Sequence, residues 1–390
     1  MAQYFFDLLY TITNCMSCFP GSPQLKINNR SFKILRLLGE GGFSYVYLVQ
    51  DTSSEATYAL KKIRCPFGQE SVAQAMKEVE AYALFSPHPN IIHSVDYCVS
   101  ADRSDPGAKT VYILLPYYRR GNLQDIINAN LVNHTKFPEK RLMVLPGGTW
   151  RSSESEECEE GEGGSGEGRS GSGRRSGITK REAEGKGNGS GQRTAGAIDG
   201  WRSHNESRGC CAWRDKGTGN IMIDDDGVQP ILMDLGSLAP SPTPITSRSL
   251  ALAVQDQAAE HSTMPYRAPE LFDVKTGSTI DTKVDIWSLG CTLYACLVGK
   301  SPFEMRSDET GGSLSLCVLG GDWRFPDEGA GGKKKATNQP GQSEDSGISD
   351  SIRDVVRRCL KVEPSERPDV DELIEIVKGV IEELPEDGSS

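Results

Sequence analysis

Between Trp213 and Gly236 the chain reads WRDKGTGNIMIDDDGVQPILMDLG. Two short apolar runs, Ile221 to Ile223 and Pro230 to Met233, flank an Asp-Asp-Asp-Gly turn at 224 to 227. The Gly can supply a positive φ, so the stretch predicts a β-hairpin. Asp215 and Asn220 precede the first strand, and Asp234 follows the second. Pairing the strands brings three oxygen-bearing side chains to one edge of a small sheet, which is what a hard cation carrying phosphate requires. The alternative is an acidic turn on a surface hairpin, and the rest of the chain decides between the two.

The spacing resembles the catalytic and magnesium loops of protein kinases. In those loops an Asp accepts the substrate hydroxyl proton, while an Asn five residues on and the Asp of a D-F-G tripeptide hold the metal. The resemblance implies Asp215 as base and Asn220 and Asp234 as magnesium ligands, with D-F-G written here as Asp234-Leu235-Gly236.

With 390 residues, 37% of them hydrophobic, the chain can hold a sizeable core and has room for two lobes. A net charge of -11 argues against a nucleic-acid binder that works by bulk electrostatics. The eleven cysteines show no paired CxxC spacing and no secretory signal precedes them, so reduced thiols in the cytosol are expected rather than disulfides. None of the five histidines has a partner at metal-ligand spacing.

From Phe32, FKILRLLGEGGFSYVYLVQ alternates like two strands around a glycine turn. Gly39, Gly41 and Gly42 leave backbone N–H groups open to triphosphate oxygens. The spacing resembles the kinase loop G-x-G-x-x-G-x-V, with Gly39, Gly41 and Val46 in register and Ser44 at the third glycine. In that resemblance Val46 covers the adenine, Ala59 of TYALKKI faces it, and Lys61 reaches the α and β phosphates. SVAQAMKEVEAYALF follows as an amphipathic helix. It offers Glu78 as the acid that pairs with Lys61 and Glu80 as the second choice. Two further strand-like runs, IIHSVDYCVS and TVYILLPYYRRGNL, lead to a hinge, with Leu115 behind the adenine and Pro116, Tyr117 and Tyr118 offering backbone groups to it.

GEGGFSYVYLV, YALKKI, LLPYYRRGNL, ILMDLGS, STMPYRAPELF and DIWSLGCTLYACLVGKSPFE together resemble the Numb-associated kinase group. The nearest resemblance is to its myristoylated and palmitoylated serine/threonine kinase branch, including palmitoylated vacuole-membrane kinases of fungi, over roughly 30–143 and 214–380. It implies an α+β, two-lobed fold with a small antiparallel-sheet N-lobe and a mainly helical C-lobe. It also implies ATP and Mg as cofactors, a protein Ser or Thr as substrate, and a place on the cytoplasmic face of an endomembrane (Golgi or vacuole) or in the cytosol.

The N-terminus, MAQYFFDLLYTITNCMSCFPGSP, is too short and interrupted to span a bilayer. Its Cys15 and Cys18 stand beside apolar residues; two S-acyl chains there suffice for stable anchoring, and the alternative is a flexible tail packed on the domain. Ala2 stands where myristoylation needs Gly.

The expected organisation is a tail at 1–29, an N-lobe at 30–115 and the hinge and start of the C-lobe at 116–146. A low-complexity insertion at 147–210, the rest of the C-lobe at 211–384 and a tail at 385–390 complete it. The insertion departs from the family. PEKRLMVL at 138–145 begins a long helix that a kinase requires, and then Gly, Ser, Glu and Arg take over, with almost nothing to bury. Such a segment cannot offset its ordering entropy. Four or five Leu-sized groups lost at roughly 1.5 to 3 kcal/mol each would match the stability of a whole domain.

The catalytic loop departs as well. Against H-R-D-x-K-x-x-N, Trp213 stands at the His and Gly217 at the Lys, with Lys216 one place early. In the family that Lys steadies the γ-phosphoryl group. Three readings stay open: an active membrane-associated kinase, a nucleotide-binding pseudokinase serving as a scaffold, and an inactive product of a mis-spliced gene.

Beyond Gly236, SLAPSPTPITSRS is loop-like, and LALAVQDQAAEHS has the composition of the extra activation-segment helix of the Numb-associated group. Thr263, Tyr266 and the Ala-Pro-Glu triplet close the segment, and the resemblance pairs Glu270 with Arg367. Tyr266 is near enough to the substrate groove to be a second candidate phosphoacceptor. VDIWSLGCTLYACLVG is apolar nearly all round and predicts a buried helix whose one acid, Asp285, requires a partner. In the family that partner is the catalytic-loop backbone. Residues 328–349 form a second polar insertion.

Overall fold

A computed structural model describes residues 24–101, 108–144, 210–213, 217–329 and 347–385. Cys15, Cys18, Asp215, nearly all of the 147–210 segment and most of 328–349 lie outside the described residues.

The first lobe is an antiparallel sheet of β1 (Gln24–Ile27), β2 (Arg30–Glu40), β3 (Ser44–Asp51), β4 (Thr57–Cys65), β5 (Asp96–Ala101) and β6 (Lys109–Pro116), in the order β1-β2-β3-β4-β6-β5. β1 lies in the segment expected to be tail. Its Ile27 is fully buried with Phe32, Val49, Leu60 and Leu114 in a small core. Asn28, at the β1–β2 turn, donates to Asp96 Oδ1 (2.9 Å) and the Tyr97 carbonyl (3.1 Å), so the two edge strands approach each other across the curled sheet. The second face packs on α1 (Gln69–Leu84), whose Val72, Ala75, Val79 and Tyr82 recur at helical spacing and meet Val111, Ile113 and Leu115 in the main core.

The run IIHSVDYCVS is strand only from Asp96. Ile91 and Ile92 are buried instead where the chain crosses to the hairpin, and the Ile92 N–H donates to the Leu232 carbonyl at 2.9 Å. An apolar run alone does not tell a strand from a buried crossing.

α2 (Leu123–Asn133) opens with a reciprocal cap between Asn122 and Asp125. Residues 139–144 begin a further helix with Leu142 and Met143 buried. β7 (Cys210–Trp213) follows, a strand the sequence did not signal. The hairpin β8 (Ile221–Ile223) and β9 (Pro230–Leu232) comes next, then β10 (Leu238–Ser241), which pairs with β7, and β11 (Thr243–Pro244). α3 (Arg248–His261) is capped by Ser247 and falls on the expected activation-segment helix. β12 (Thr279–Ile280) pairs with β11.

α4 (Lys283–Val298) runs buried through the C-lobe core, as its apolar sequence requires. α5 (Pro302–Thr310), α6 (Leu314–Gly320), α7 (Asp350–Cys359) and α8 (Val370–Glu383) surround it. Gly290 lets α7 approach, since a Cβ there would fall 2.6 Å from Cys359 Cβ. The result is a small antiparallel-sheet N-lobe on a mainly helical C-lobe.

Candidate active site

The hairpin pairs Ile221 with Leu232, Met222 with Ile231 and Ile223 with Pro230. Gly227 turns it at φ +80, and Asp224 Oδ1 closes the turn by accepting from the Val228 and Gln229 amides. At the other end the Met233 N–H donates to the Asn220 carbonyl at 2.9 Å, which brings Asn220 beside Asp234. Leu232 also donates to the Asn90 carbonyl, and Asn90 Nδ2 to that of Pro230, so the hairpin is fastened to the chain leaving α1. Asp234 holds a left-handed backbone (φ 59), uncommon without a Gly and worth noting at a site.

Strand register sets the opposite wall. Val46 pairs with Lys61, and Ala59 pairs with Leu115. Lys61 Nζ donates to Glu78 Oε1 at 2.7 Å, Glu78 Oε2 at 2.9 Å and Asp234 Oδ1 at 2.9 Å. Of the two acids the sequence offered, Glu78 is the partner of Lys61 and Glu80 is not. Tyr82, one turn further along α1, donates its hydroxyl to Glu78 Oε1 at 2.6 Å.

Burial alone would lower the Lys61 ammonium, but the Glu78 and Asp234 carboxylates outweigh it and hold it above its ordinary value. Conversely, Lys61 holds the Asp234 carboxyl below the usual range against the opposing effect of burial. Asp234 is therefore an anion, and its side chain keeps 43% exposure.

In the glycine turn the Gly41 N–H donates to the Ser44 carbonyl at 2.8 Å. A Cβ at Gly39 or Gly42 would meet nothing within 4 Å, so packing within the chain does not demand glycine there. What the bare backbone leaves possible is close approach by something from outside, as phosphate oxygens require. Leu115 is buried behind Ala59, while Tyr117 meets Arg36 through its hydroxyl at 3.3 Å.

Gly217 precedes a 3₁₀ turn at Thr218–Asn220 with an ordinary extended backbone (φ −63). Thr218 is buried, and its hydroxyl donates to Gln124 Oε1 at 2.5 Å. That uses its one proton, so the Tyr266 hydroxyl donates to Thr218 at 3.1 Å. Tyr266 is only 7% exposed and its carbonyl accepts from Ser288. In this conformation its hydroxyl faces the protein interior and is not offered as a phosphoacceptor. Thr263 immediately precedes the 3₁₀ turn that carries Tyr266.

Glu270 and Arg367 form a two-bond ion pair at 2.7 and 2.9 Å, and Asp285 is buried at the start of α4. The sequence did not single out Tyr82, Thr218 or Gln124. Tyr82 carried a signal, the i, i+4 spacing that places it on the face of Glu78. The partners of Thr218 lie 94 and 48 residues away and left none.

The two-lobed fold thus brings a lysine and two carboxylates together, with the lysine on the strand next to the one that follows the glycine turn. The family model for the protein kinase domain matches residues 32–145 and 204–377, and the chain belongs to that family. It is 34% identical to serine/threonine-protein kinase ppk13 of Schizosaccharomyces pombe over 351 residues, 89% of this chain and 90% of that protein. It is 31% identical to serine/threonine-protein kinase ENV7 of Saccharomyces cerevisiae, covering 91% and 93%. With human serine/threonine-protein kinase 16 the identity is 30%, covering 88% of each.

Proposed function

We propose that the chain is a serine/threonine protein kinase that moves the γ-phosphoryl group of ATP to a protein hydroxyl. The observation that carries this reading is Lys61 bridging Glu78 and Asp234 at 2.7 to 2.9 Å. A cation fixed by two carboxylates beside an open glycine turn is built to hold phosphate oxygens in one place.

Each residue has a part. Gly39, Gly41 and Gly42 admit the phosphates to the backbone, and Val46, Ala59, Leu115 and Tyr117 enclose the base. Glu78 keeps Lys61 extended toward the α and β phosphates. Asn220 and Asp234 would hold magnesium, whose contribution is positive charge against the phosphate oxygens. The donor set fits, since two oxygen-bearing side chains share one end of the hairpin and Asp234 is anionic and accessible. Asp215 is assigned the base that takes the substrate hydroxyl proton, a role generally worth about 10² to 10⁴ in rate. Asp285, Glu270 and Arg367 support the surrounding loops.

The choice of Ser and Thr rests on the names of the relatives. Incubating the protein with labelled ATP, magnesium and a mixed protein substrate, followed by phosphoamino-acid analysis, tests it. Phosphoserine or phosphothreonine is expected, and phosphotyrosine alone would contradict the assignment.

Gly217, which brings no ammonium to the position of the family's Lys, favours a second reading as a nucleotide-binding pseudokinase scaffold. ATP binding with no turnover in that assay would select it.

We further propose S-acylation of Cys15 and Cys18, supported by their apolar neighbours Phe5, Phe6, Leu8 and Leu9. Hydroxylamine-sensitive acyl labelling is expected to disappear when both are changed to Ser. Labelling that survives in the double variant would contradict it.

A further inference from the structure

Glu78 accepts hydrogen bonds from two donors on one oxygen. Lys61 Nζ lies 2.7 Å and the Tyr82 hydroxyl 2.6 Å from Oε1, and Lys61 also reaches Oε2 at 2.9 Å. The carboxylate is 6% exposed and Tyr82 only 1%, so the phenol–carboxylate bond is made away from water. A hydrogen bond to a buried ionised group is of the strong kind, and a buried phenol needs such a partner. Burial, and then the Glu78 charge, push the Tyr82 phenol far above its ordinary pKa, so it remains a donor throughout the physiological range. The hydroxyl is thus committed to the Glu78 carboxylate.

Packing alone does not account for it. The ring fills the core beneath β6 as a phenylalanine would. What the hydroxyl adds is a second restraint on the carboxylate that holds Lys61. A glutamate fixed by one flexible lysine can rotate about its own χ angles; one fixed from two directions cannot without breaking a bond.

We propose that Tyr82 is a positioning residue for phosphoryl transfer, acting through Glu78 to fix Lys61 against the phosphates. This rests on the kinase reading.

The test compares wild type, Tyr82→Phe, Glu78→Gln and the double variant of the full chain. Tyr82→Phe is expected to lower kcat roughly tenfold, the size of one hydrogen bond to a charged group. KM for ATP should stay within about threefold, and Tm should fall by no more than about 6 °C, because the ring and its burial are kept and one hydrogen bond is lost. In the Glu78→Gln background the same change should have no further effect on kcat.

A readout that needs no turnover accompanies these: hydrogen exchange of the Lys61 ammonium, followed by ¹⁵N NMR. It should be slow in the wild type and roughly tenfold faster in Tyr82→Phe. If the wild type transfers no phosphate yet Tyr82→Phe speeds this exchange, the kinase reading fails and the link from Tyr82 to Lys61 stands. Unchanged exchange overturns the proposal. So does an unchanged kcat in an active enzyme, or a loss of the same size in the Glu78→Gln background.

Discussion

Arg367 reaches Glu270 across 97 residues and meets it through two parallel hydrogen bonds of 2.7 and 2.9 Å. Its guanidinium has no exposed surface, donates as well to the carbonyls of Lys361, Val362 and Lys283, and lies over the Trp287 ring. The planar fork therefore ties the end of the activation segment to α4 and to the approach to α8.

Breaking a buried pair by removing one partner costs about 3 to 5 kcal/mol, because a charge is left buried without its counterion. Arg367→Ala is expected to lose that much in denaturant unfolding. Arg367→Lys should recover little of it, since a compact ammonium cannot reproduce five donors in a plane. Recovery of most of the stability by Lys would contradict the geometric account.

The pH dependence of stability follows from two carboxyls and one ammonium. Ser53, through its hydroxyl and amide, and Arg30 hold the Asp51 carboxyl below the usual range, and Lys61 does the same for Asp234. Groups depressed in the folded state contribute stability above their unfolded pKa of about 4, and it is lost as pH falls through the folded value. Lys61 is shifted upward, so its contribution is complete below about pH 10.4 and is lost only at higher pH. Thermal unfolding should show a plateau at neutral pH and a fall below about pH 4, part of which disappears in Asp51→Asn. A stability maximum below pH 4 would contradict it.

The parts of this molecule that were legible in the sequence are those with a short period or a fixed spacing. The hairpin at 221–232 declared itself by two apolar runs around a Gly turn. Lys61 followed from its match to the kinase strand motif, whereas helical periodicity left Glu78 and Glu80 both open and the fold decides for Glu78. α3 and α4 were readable because their composition holds over fourteen and sixteen residues. β1 was not, because QLKI is four residues long and its one fully buried side chain, Ile27, is matched only by partners on other strands. Ile91 and Ile92 misled for the opposite reason, being buried where the chain crosses to the hairpin and makes a single parallel bridge, Ile91 to Leu232, instead of continuing the strand that begins at Asp96. The Thr218–Tyr266 bond joins segments whose meeting only the tertiary fold decides.

Gly290 tests the packing of α4 on α7. A Cβ there would lie 2.6 Å from Cys359 Cβ and 3.1 Å from Leu360 Cδ2, neither at the end of a long flexible chain. Gly290→Ala should cost about 1 to 3 kcal/mol by overpacking, even though Ala is the better helix former. A gain in Tm would show that α7 moves aside freely.

Gly217 tests the proposal that the catalytic loop lacks a cation where the family carries Lys. Its φ of −63 suits any residue, so the backbone does not oppose a side chain. Gly217→Lys is expected to raise the rate of phosphate transfer by about tenfold or more with little change in ATP affinity, because a cation there acts on charge developed in the transition state. An unchanged rate would mean that another group already fills this role.

Incorporation of labelled phosphate from ATP and magnesium into the purified protein, set beside Asp234→Ala, addresses the central claim directly. Asp234 combines the hairpin end, the Lys61 contact and an accessible anionic carboxyl in one residue. Incorporation by the wild type that falls by at least about a hundredfold in the variant is the expected result. Incorporation of equal size in both proteins, or in neither, would contradict a phosphoryl-transfer site organised around Lys61, Glu78 and Asp234.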